Sequence, residues 1–282
     1  MTGLPPLIGI DHTLVGVADL EAARARWQRL GFTTTPRGRH IGWGTANYCI
    51  MFERDYAELL GIVDPAQFVN RLDRLLETRG EGLLGLAFGA DDPDAVHAML
   101  GPERSEPPKD LARLLELPTG TVKPAFRLVH FKPETTPGLS SFVTGHLTPG
   151  LLRRPDWLRH ANGAVGIEGV TVVVDDPAAL APAYARLFGA DAVREGGSRL
   201  DVRVGRHHLR FLTANRFARR YPGAPVPTGL PAPAVMTLLV ENLAATAGHL
   251  AREGIETLPV TGERLVVPSA QATGVLLEFA VS

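Results

Sequence analysis

The first strand and first helix of the chain recur near its C-terminus at a constant spacing of 223 residues, as from Val17 to Val240. An internal repeat in register indicates a chain built from copies of one small unit. His12 lies on the first strand, and Val235 occupies its position in the later copy. A residue that is polar in one copy and apolar in another suggests that any functional site is confined to part of the molecule. Further pairs at this spacing are Arg29 with Arg252, Gly31 with Gly254, and Phe32 with Ile255.

The pattern of each copy predicts a βαβββ unit. In the first unit, residues 8–17 alternate as a strand does, Asp19 is placed to cap a helix, and Gly31 ends that helix. Strand-like segments then follow at 32–35, 46–52 and 56–63. Further units are expected at 80–150, 163–215 and 231–282, after the first at 1–64. We therefore predict an α+β fold with an N-terminal domain 1–150, a linker 151–162 and a C-terminal domain 163–282.

Composition narrows the classes of partner. There are 29 Lys and Arg against 30 Asp and Glu, so the net charge of −1 favours neither nucleic acid nor an anionic membrane. Cys49 is the single cysteine, which excludes an intrachain disulfide. The sequence has no apolar run of the roughly 20 residues needed to span a bilayer, and its start does not resemble a secretory signal. We expect a cytoplasmic protein that binds a small molecule, as a monomer or a homodimer.

Several motifs resemble the vicinal oxygen chelate superfamily of glyoxalases, extradiol dioxygenases and resistance proteins. They are Ile10-Asp11-His12 on the first strand, Ala18-Asp19-Leu20 after it, and Leu30-Gly31-Phe32 at the helix end. The segment 38–47 followed by Tyr56-Ala57-Glu58-Leu59-Leu60, and the segments 146–149 and 160–164, look like the glyoxalase-like subfamily. The resemblance implies that paired units curl into cup-shaped mixed sheets. It also implies a metal ion that is held by residues on the first and last strands of the units. Two oxygens of the bound ligand would chelate this ion.

Carried over to this sequence, the resemblance makes His12 and Glu58 metal ligands. Glu58 would also be the catalytic base. The first strand of the second unit offers no donor near residues 84–86, so a third ligand must come from elsewhere. His146 is the preferred candidate, followed by His130 and then His40. Two histidines and one carboxylate would suit Fe(II), Mn(II), Ni(II) or Zn(II).

The second half lacks the histidines of such a site. Val235 and either Gly169 or Val170 fill the first-strand positions, and Arg210 replaces one last-strand carboxylate, although Glu278 keeps the other. We predict at most one metal per chain and a structural role, a lid role or metal-free binding for this degenerate domain.

The glycine-rich segment 38–44 lacks the ending of a phosphate-binding loop and is expected to be a hairpin between strands. Its polar residues are candidates for the mouth of the cup. The candidate substrate-binding residues are Arg39, His40, Trp43, Asn47 and His130.

Three functions remain open. The first is a metal-dependent isomerase or lyase of glyoxalase type, in which a Lewis acid stabilises an enolate or oxyanion of a substrate with adjacent oxygens. The second is a binding protein that sequesters a small molecule without catalysis, as bleomycin-resistance proteins of the superfamily do. The third is an extradiol-type dioxygenase.

Overall fold

The computed structural model describes residues 4–260 and 262–281, which form two mixed sheets and six helices. The N-terminal sheet has nine strands. They are β1 (Gly9–Val17), β2 (Gly38–His40), β3 (Thr45–Met51), β4 (Tyr56–Ile62), β5 (Gly82–Gly89), β6 (Lys109–Leu117), β7 (Gly120–Val122), β8 (Ala125–His130) and β9 (Ser141–His146). Its helices are α1 (Leu20–Arg29), α2 (Leu72–Arg79) and α3 (Pro93–Leu100).

The C-terminal sheet has seven strands. They are β10 (Ala164–Val173), β11 (Val193–Glu195), β12 (Arg199–Val204), β13 (His207–Leu212), β14 (Ala232–Val240), β15 (Arg264–Val267) and β16 (Leu276–Val281). Its helices are α4 (Ala181–Phe188), α5 (Ala214–Arg220) and α6 (Leu243–Arg252). Within the described part of the chain, no helix has the length and apolar character to cross a membrane.

The predicted pairing of units is present in both sheets, and it confirms the α+β fold class. In the N-terminal sheet the first strands β1 and β5 pair antiparallel at the centre, and the last strands β4 and β9 run parallel to them on either side. In the C-terminal sheet β10 and β14 pair in the same way, with β13 and β16 beside them. Strand β2 also pairs with β6, which curls the N-terminal sheet into a cup.

The parallel registers show which residues are equivalent in the four units. Leu14 pairs with Glu58 in the first unit, and the matching last-strand positions hold Ser141, Arg210 and Glu278. Two residues earlier on each first strand stand His12, Leu84, Gly169 and Val235. In the described chain, His12 and Glu58 are therefore the only such pair in which both positions carry a metal-ligating type of side chain.

Some predicted elements differ from the structure. The predicted strand 32–35 is absent from the structure. There the backbone N–H of Thr33 donates to the ring of His160 and not to a neighbouring strand. Helices α2 and α5 and strands β7 and β11 were not predicted from the pattern. In the described residues of the fourth unit, two strands follow the helix instead of three.

A bulge in β1 determines where its side chains lie. The register with β5 shifts between Ile10 and His12, so Ile10 joins the core with Val15, whereas His12 faces the inside of the cup. The alternation in sequence predicted Ile10 and His12 on the same face. The opposite face of β1 packs on the second sheet, where the Thr13 hydroxyl donates to Met236 Sδ at 3.2 Å.

Candidate functional site

The cup of the N-terminal sheet contains a cavity of about 500 Å³. Polar groups lie among apolar walls, an arrangement typical of small-molecule sites. The charged and histidine side chains that line it are His12, His40, Glu58, Arg71, Arg74, Arg113 and His130. Its larger apolar lining residues include Leu14, Trp43, Leu60, Leu84, Leu111, Phe126, Leu128 and Phe142.

His12 is held in one orientation and one tautomer. Its Nδ1 lies 2.8 Å from Asp11 Oδ1, and its ring stacks on that of Tyr56 with the centroids 4.4 Å apart. Although burial alone would raise it, hydrogen bonds from His12 and His146 keep the pKa of Asp11 below its ordinary value. An ionised carboxylate can only accept, so Nδ1 of His12 carries the proton. Nε2 faces Glu58, with 3.5 Å between Nε2 and Oε2.

Glu58 is a buried carboxylate that stays charged. Burial opposes ionisation, but the neighbouring rings of His12 and His40, the guanidinium of Arg113 and the amide of Asn47 lower the pKa of Glu58 overall. Its Oε1 accepts a hydrogen bond from Asn47 Nδ2 at 2.6 Å. Such a carboxylate can accept a proton or stabilise a neighbouring imidazolium.

His40 lies next to Glu58, with 3.8 Å between His40 Nε2 and Glu58 Oε1. Burial lowers the pKa of His40, more than the charge of Glu58 raises it. Its Nδ1 is 2.8 Å from the Thr45 hydroxyl. The neutral ring therefore completes the polar cluster of His12, Asn47, Glu58 and His40, which we call the His12 cluster.

The remaining predicted residues are divided between the cavity and its surroundings. Trp43 and His130 line the cavity. Arg39 is exposed, because it alternates with Gly38 and His40 along β2 and so faces outward. His146 lies outside the cavity, where its Nε2 is 2.8 Å from Asp11 Oδ2. It therefore supports the carboxylate behind His12 and does not meet Glu58.

A divalent ion would need more donors than this arrangement brings together. Among residues 4–260 and 262–281, no three His, Cys, Asp or Glu side chains are grouped to hold a metal. His12 and Glu58 provide two donors, and His40, although its Nε2 is 3.8 Å from Glu58 Oε1, does not join them in such a group. Leu84 and Ser141 occupy the equivalent positions of the second unit. Catalytic metal sites commonly have three protein ligands. The residues present therefore do not fit the three-ligand site that the family resemblance implies.

Sequence reasoning did not identify Arg113, which is 2% exposed and lines the cavity from β6. A signal was present, since Arg113 alternates in phase with the buried Leu115 and Leu117 and so lies on the inner face of its strand. Asp11 was also missed as a partner of His12, because the bulge that brings them together has no clear sequence signature.

In the described part of the C-terminal sheet, Gly169 and Val235 stand where His12 does, so no histidine at that position faces the carboxylate. Glu278 is 1% exposed, and its carboxylate is bonded to Thr237, Arg220 and Arg264. Arg210 is paired with Asp201. The role of this half, whether structural, as a lid or in metal-free binding, stays a prediction.

Comparisons with known proteins agree with this architecture. The model of the glyoxalase-like domain family matches residues 10–188. No curated protein matches the chain.

Among solved structures, a hypothetical protein from Staphylococcus aureus has a TM-score of 0.67 at 14% identity, covering 97% of this chain and 99% of that one. A triple mutant of 4-hydroxymandelate synthase from Streptomyces coelicolor has a TM-score of 0.59 at 16% identity, covering 97% and 92%. A fusion of a xylose isomerase-like TIM barrel with 4-hydroxyphenylpyruvate dioxygenase has a TM-score of 0.57 at 11% identity, covering 98% and 50%. At these identities the likeness shows the fold.

The family match spans more than half of the chain, and the structural neighbours share its paired-unit architecture. The chain belongs to the glyoxalase-like domain family of the vicinal oxygen chelate superfamily.

Proposed function

We propose that the N-terminal cup is the active site of a glyoxalase-like enzyme of isomerase or lyase type, which moves a proton on a small organic substrate with adjacent oxygens. The observation that carries the proposal is the pair formed by His12 Nε2 and Glu58 Oε2, 3.5 Å apart in the cavity, with Nδ1 fixed by ionised Asp11. A histidine whose second nitrogen is held by a carboxylate is a typical general base.

The chain's own residues can perform this step without a further group. His12 Nε2 takes a proton from a carbon next to a carbonyl, and the charges of Asp11 and Glu58 stabilise the imidazolium that results. The positive charge of Arg113 stabilises the developing oxyanion of the enolate. Because the side chains of His12, Glu58 and Arg113 are buried, these interactions are stronger than they would be in water.

Hydrogen–deuterium exchange tests this step without knowledge of the product. A panel of 2-oxo acids and hydroxyketones is incubated with the protein in D2O. We expect the wild-type protein to catalyse replacement of hydrogen by deuterium at the carbons adjacent to the carbonyl, and NMR measures the rate of this exchange. The variant His12→Gln should lower this rate on the order of 100-fold or more, because it removes the base. His208→Gln is the matched control, since His208 is exposed on β13. Equal rates for His12→Gln and the wild type would contradict the proposal.

A second candidate is the binding protein without catalysis. The apolar walls and the volume of the cavity support it. In that case the wild type would bind members of the panel and catalyse no exchange.

The dioxygenase candidate is supported by the fold shared with a 4-hydroxymandelate synthase and with a protein containing 4-hydroxyphenylpyruvate dioxygenase. Oxygen consumption that requires added Fe(II) would favour it over proton transfer.

A further inference from the structure

The guanidinium of Arg113 is buried with more than half of its hydrogen-bonding capacity unused. Its Nη1 donates to Cys49 Sγ at 3.1 Å, and its Nε and Nη2 have no hydrogen-bond partner among the described residues. The Cys49 thiol is no counterion, because burial raises its pKa to about 11. A guanidinium cannot lose its proton in a protein, and the carboxylate of Glu58 acts on it only through its charge, since it accepts no hydrogen bond from Nε or Nη2. Leaving these buried donors without an acceptor is costly. The site therefore favours an anion.

The two free donors have the geometry of a carboxylate site. Nε–H and one Nη2–H lie side by side on one edge of the guanidinium, and this edge matches the two oxygens of a carboxylate. The bond from Nη1 to Cys49 and the nearby ring of Phe126, 5.6 Å from Cζ, hold the side chain in place. The anion-binding edge is thus oriented before any ligand arrives, which lowers the entropic cost of binding.

The strand pairing places Arg113 beside the His12 cluster. Arg113 lies opposite His40 in the pairing of β2 with β6, and Cys49 lies opposite Glu58 in the pairing of β3 with β4. Neighbouring strands are about 4.8 Å apart, so one small molecule can reach both places.

The charge of the lining also favours an anion. Three arginines line the cavity, Arg71, Arg74 and Arg113, against the single carboxylate of Glu58. A cavity lined mostly by positive charge concentrates anions.

Resting on the proposed function of the cup, we propose that its substrate is an organic acid whose carboxylate binds the Nε and Nη2 edge of Arg113. The apolar part of the molecule packs on Leu111, Phe126 and Leu128, which line the same wall. The carbon that exchanges its proton then faces His12.

Isothermal titration of the full chain tests the carboxylate site with three probes of the same shape. They are 3-phenylpropionate and its neutral analogues 3-phenylpropanamide and 3-phenylpropan-1-ol. We expect the acid to bind at least about tenfold more tightly than either neutral probe. Arg113→Met should remove this preference, and Arg74→Gln should keep most of it, because Arg74 is an exposed residue at the edge of the same cavity.

Acetate gives a test that does not depend on the shape of the apolar wall. It should raise the midpoint of thermal unfolding of the wild type more than that of Arg113→Met. Should Arg113→Met fail to fold, Arg113→Lys keeps the charge without the paired donors and should weaken the acid on the order of tenfold.

The proposal is overturned if the acid and its neutral analogues bind equally and acetate has the same effect on wild type and Arg113→Met. It is also overturned if the acid binds the Arg113 variants as tightly as the wild type. His12→Gln separates this failure from that of the proposed function, because it should lose exchange and still prefer the acid. If the protein binds the acid and catalyses no exchange, the Arg113 carboxylate site is supported and the proposed enzymatic function is contradicted.

Discussion

At the scale of single residues, Asp11 determines what His12 and His146 can do. Its two oxygens each bond one of these rings at 2.8 Å, so one carboxylate joins a ring inside the cup to a ring outside it. Because His146 is used in this way, it supports His12 from behind instead of meeting a substrate or an ion beside Glu58. The arrangement resembles the carboxylate–histidine pairs that fix the tautomer of functional histidines.

Measuring the metal content of the protein tests whether His12 and Glu58, without His146, can hold a divalent ion. Two protein donors hold a divalent ion weakly, so we expect the protein, loaded with Zn(II), Mn(II), Ni(II) or Fe(II) and then dialysed, to keep well under one ion per chain. Mass spectrometry of the digested protein measures this content. His146→Gln should leave it unchanged.

The opposite result is equally clear. A content near one ion per chain that is lost in His12→Gln and Glu58→Gln, and kept in His208→Gln, would show that metal-dependent chemistry operates in this cup. Loss in His146→Gln as well would restore the ligand set predicted from the sequence.

At the scale of elements, the turn between β2 and β3 is attached to the loop after β4 through Gly44. The Gly44 carbonyl accepts from Val63 and Asp64, and its N–H donates to Phe68. A Cβ at this position would lie 1.9 Å from the Asp64 carbonyl oxygen, so a side chain would force the loop away from the turn. This contact positions Trp43 over the mouth of the cavity, where it packs against Phe68.

We expect Gly44→Ala to lower the free energy of unfolding by about 2–4 kcal/mol, because backbone atoms must move to admit the methyl group. Chemical denaturation followed by fluorescence measures the change. Gly150→Ala is the control, since a Cβ there meets nothing within 4 Å. If Gly44→Ala and Gly150→Ala have the same free energy of unfolding, the loop after β4 moves aside without destabilising the protein, and the prediction is wrong.

A helix can be predicted from the sequence when residues at its ends, such as a capping side chain or a terminating glycine, mark where it begins and stops. Helix α1 is predicted by its cap, since Asp19 accepts from the backbone N–H of Glu21 and Ala22, and by Gly31, which has a φ of 94°. Helix α2 has no such signal, because Arg71 precedes it in a left-handed conformation without a side-chain cap. Contacts with the sheet, which the local sequence does not show, stabilise it.

At the scale of the whole molecule, His160 joins the segment between the two sheets to the N-terminal cup. Its Nδ1 accepts from the Thr33 N–H at 3.0 Å and its Nε2 donates to the Met51 carbonyl at 3.0 Å, so the neutral ring uses both nitrogens. Burial lowers the pKa of His160 to about 4. Protonation would break the bond from Thr33.

This predicts a decrease in stability on mild acidification. Between about pH 6.5 and 4 the unfolded chain binds the proton and the folded protein does not, so the free energy of unfolding falls as the pH falls. We expect a loss of about 2 kcal/mol from this residue, measured by urea denaturation from pH 7 to 4.5. His40, whose pKa burial also lowers, adds to it.

The variant His160→Gln should be less stable at pH 7 and lose less stability on acidification, whereas His208→Gln should follow the wild type. A pH dependence identical in His160→Gln and the wild type would assign the effect to other groups.

The sequence by itself determined the repeated unit, the strands that carry it and the two positions at which His12 and Glu58 stand, because alternation, caps and turns are local properties of the chain. Tertiary structure alone decided which groups meet there. Parallel pairing of β4 with β1 brings Glu58 close to His12. The bulge in β1 places Asp11 where it can bond His146. Closure of β2 on β6 brings Arg113 beside the His12 cluster. These are contacts between residues far apart in the chain, and the packing of whole strands selects them.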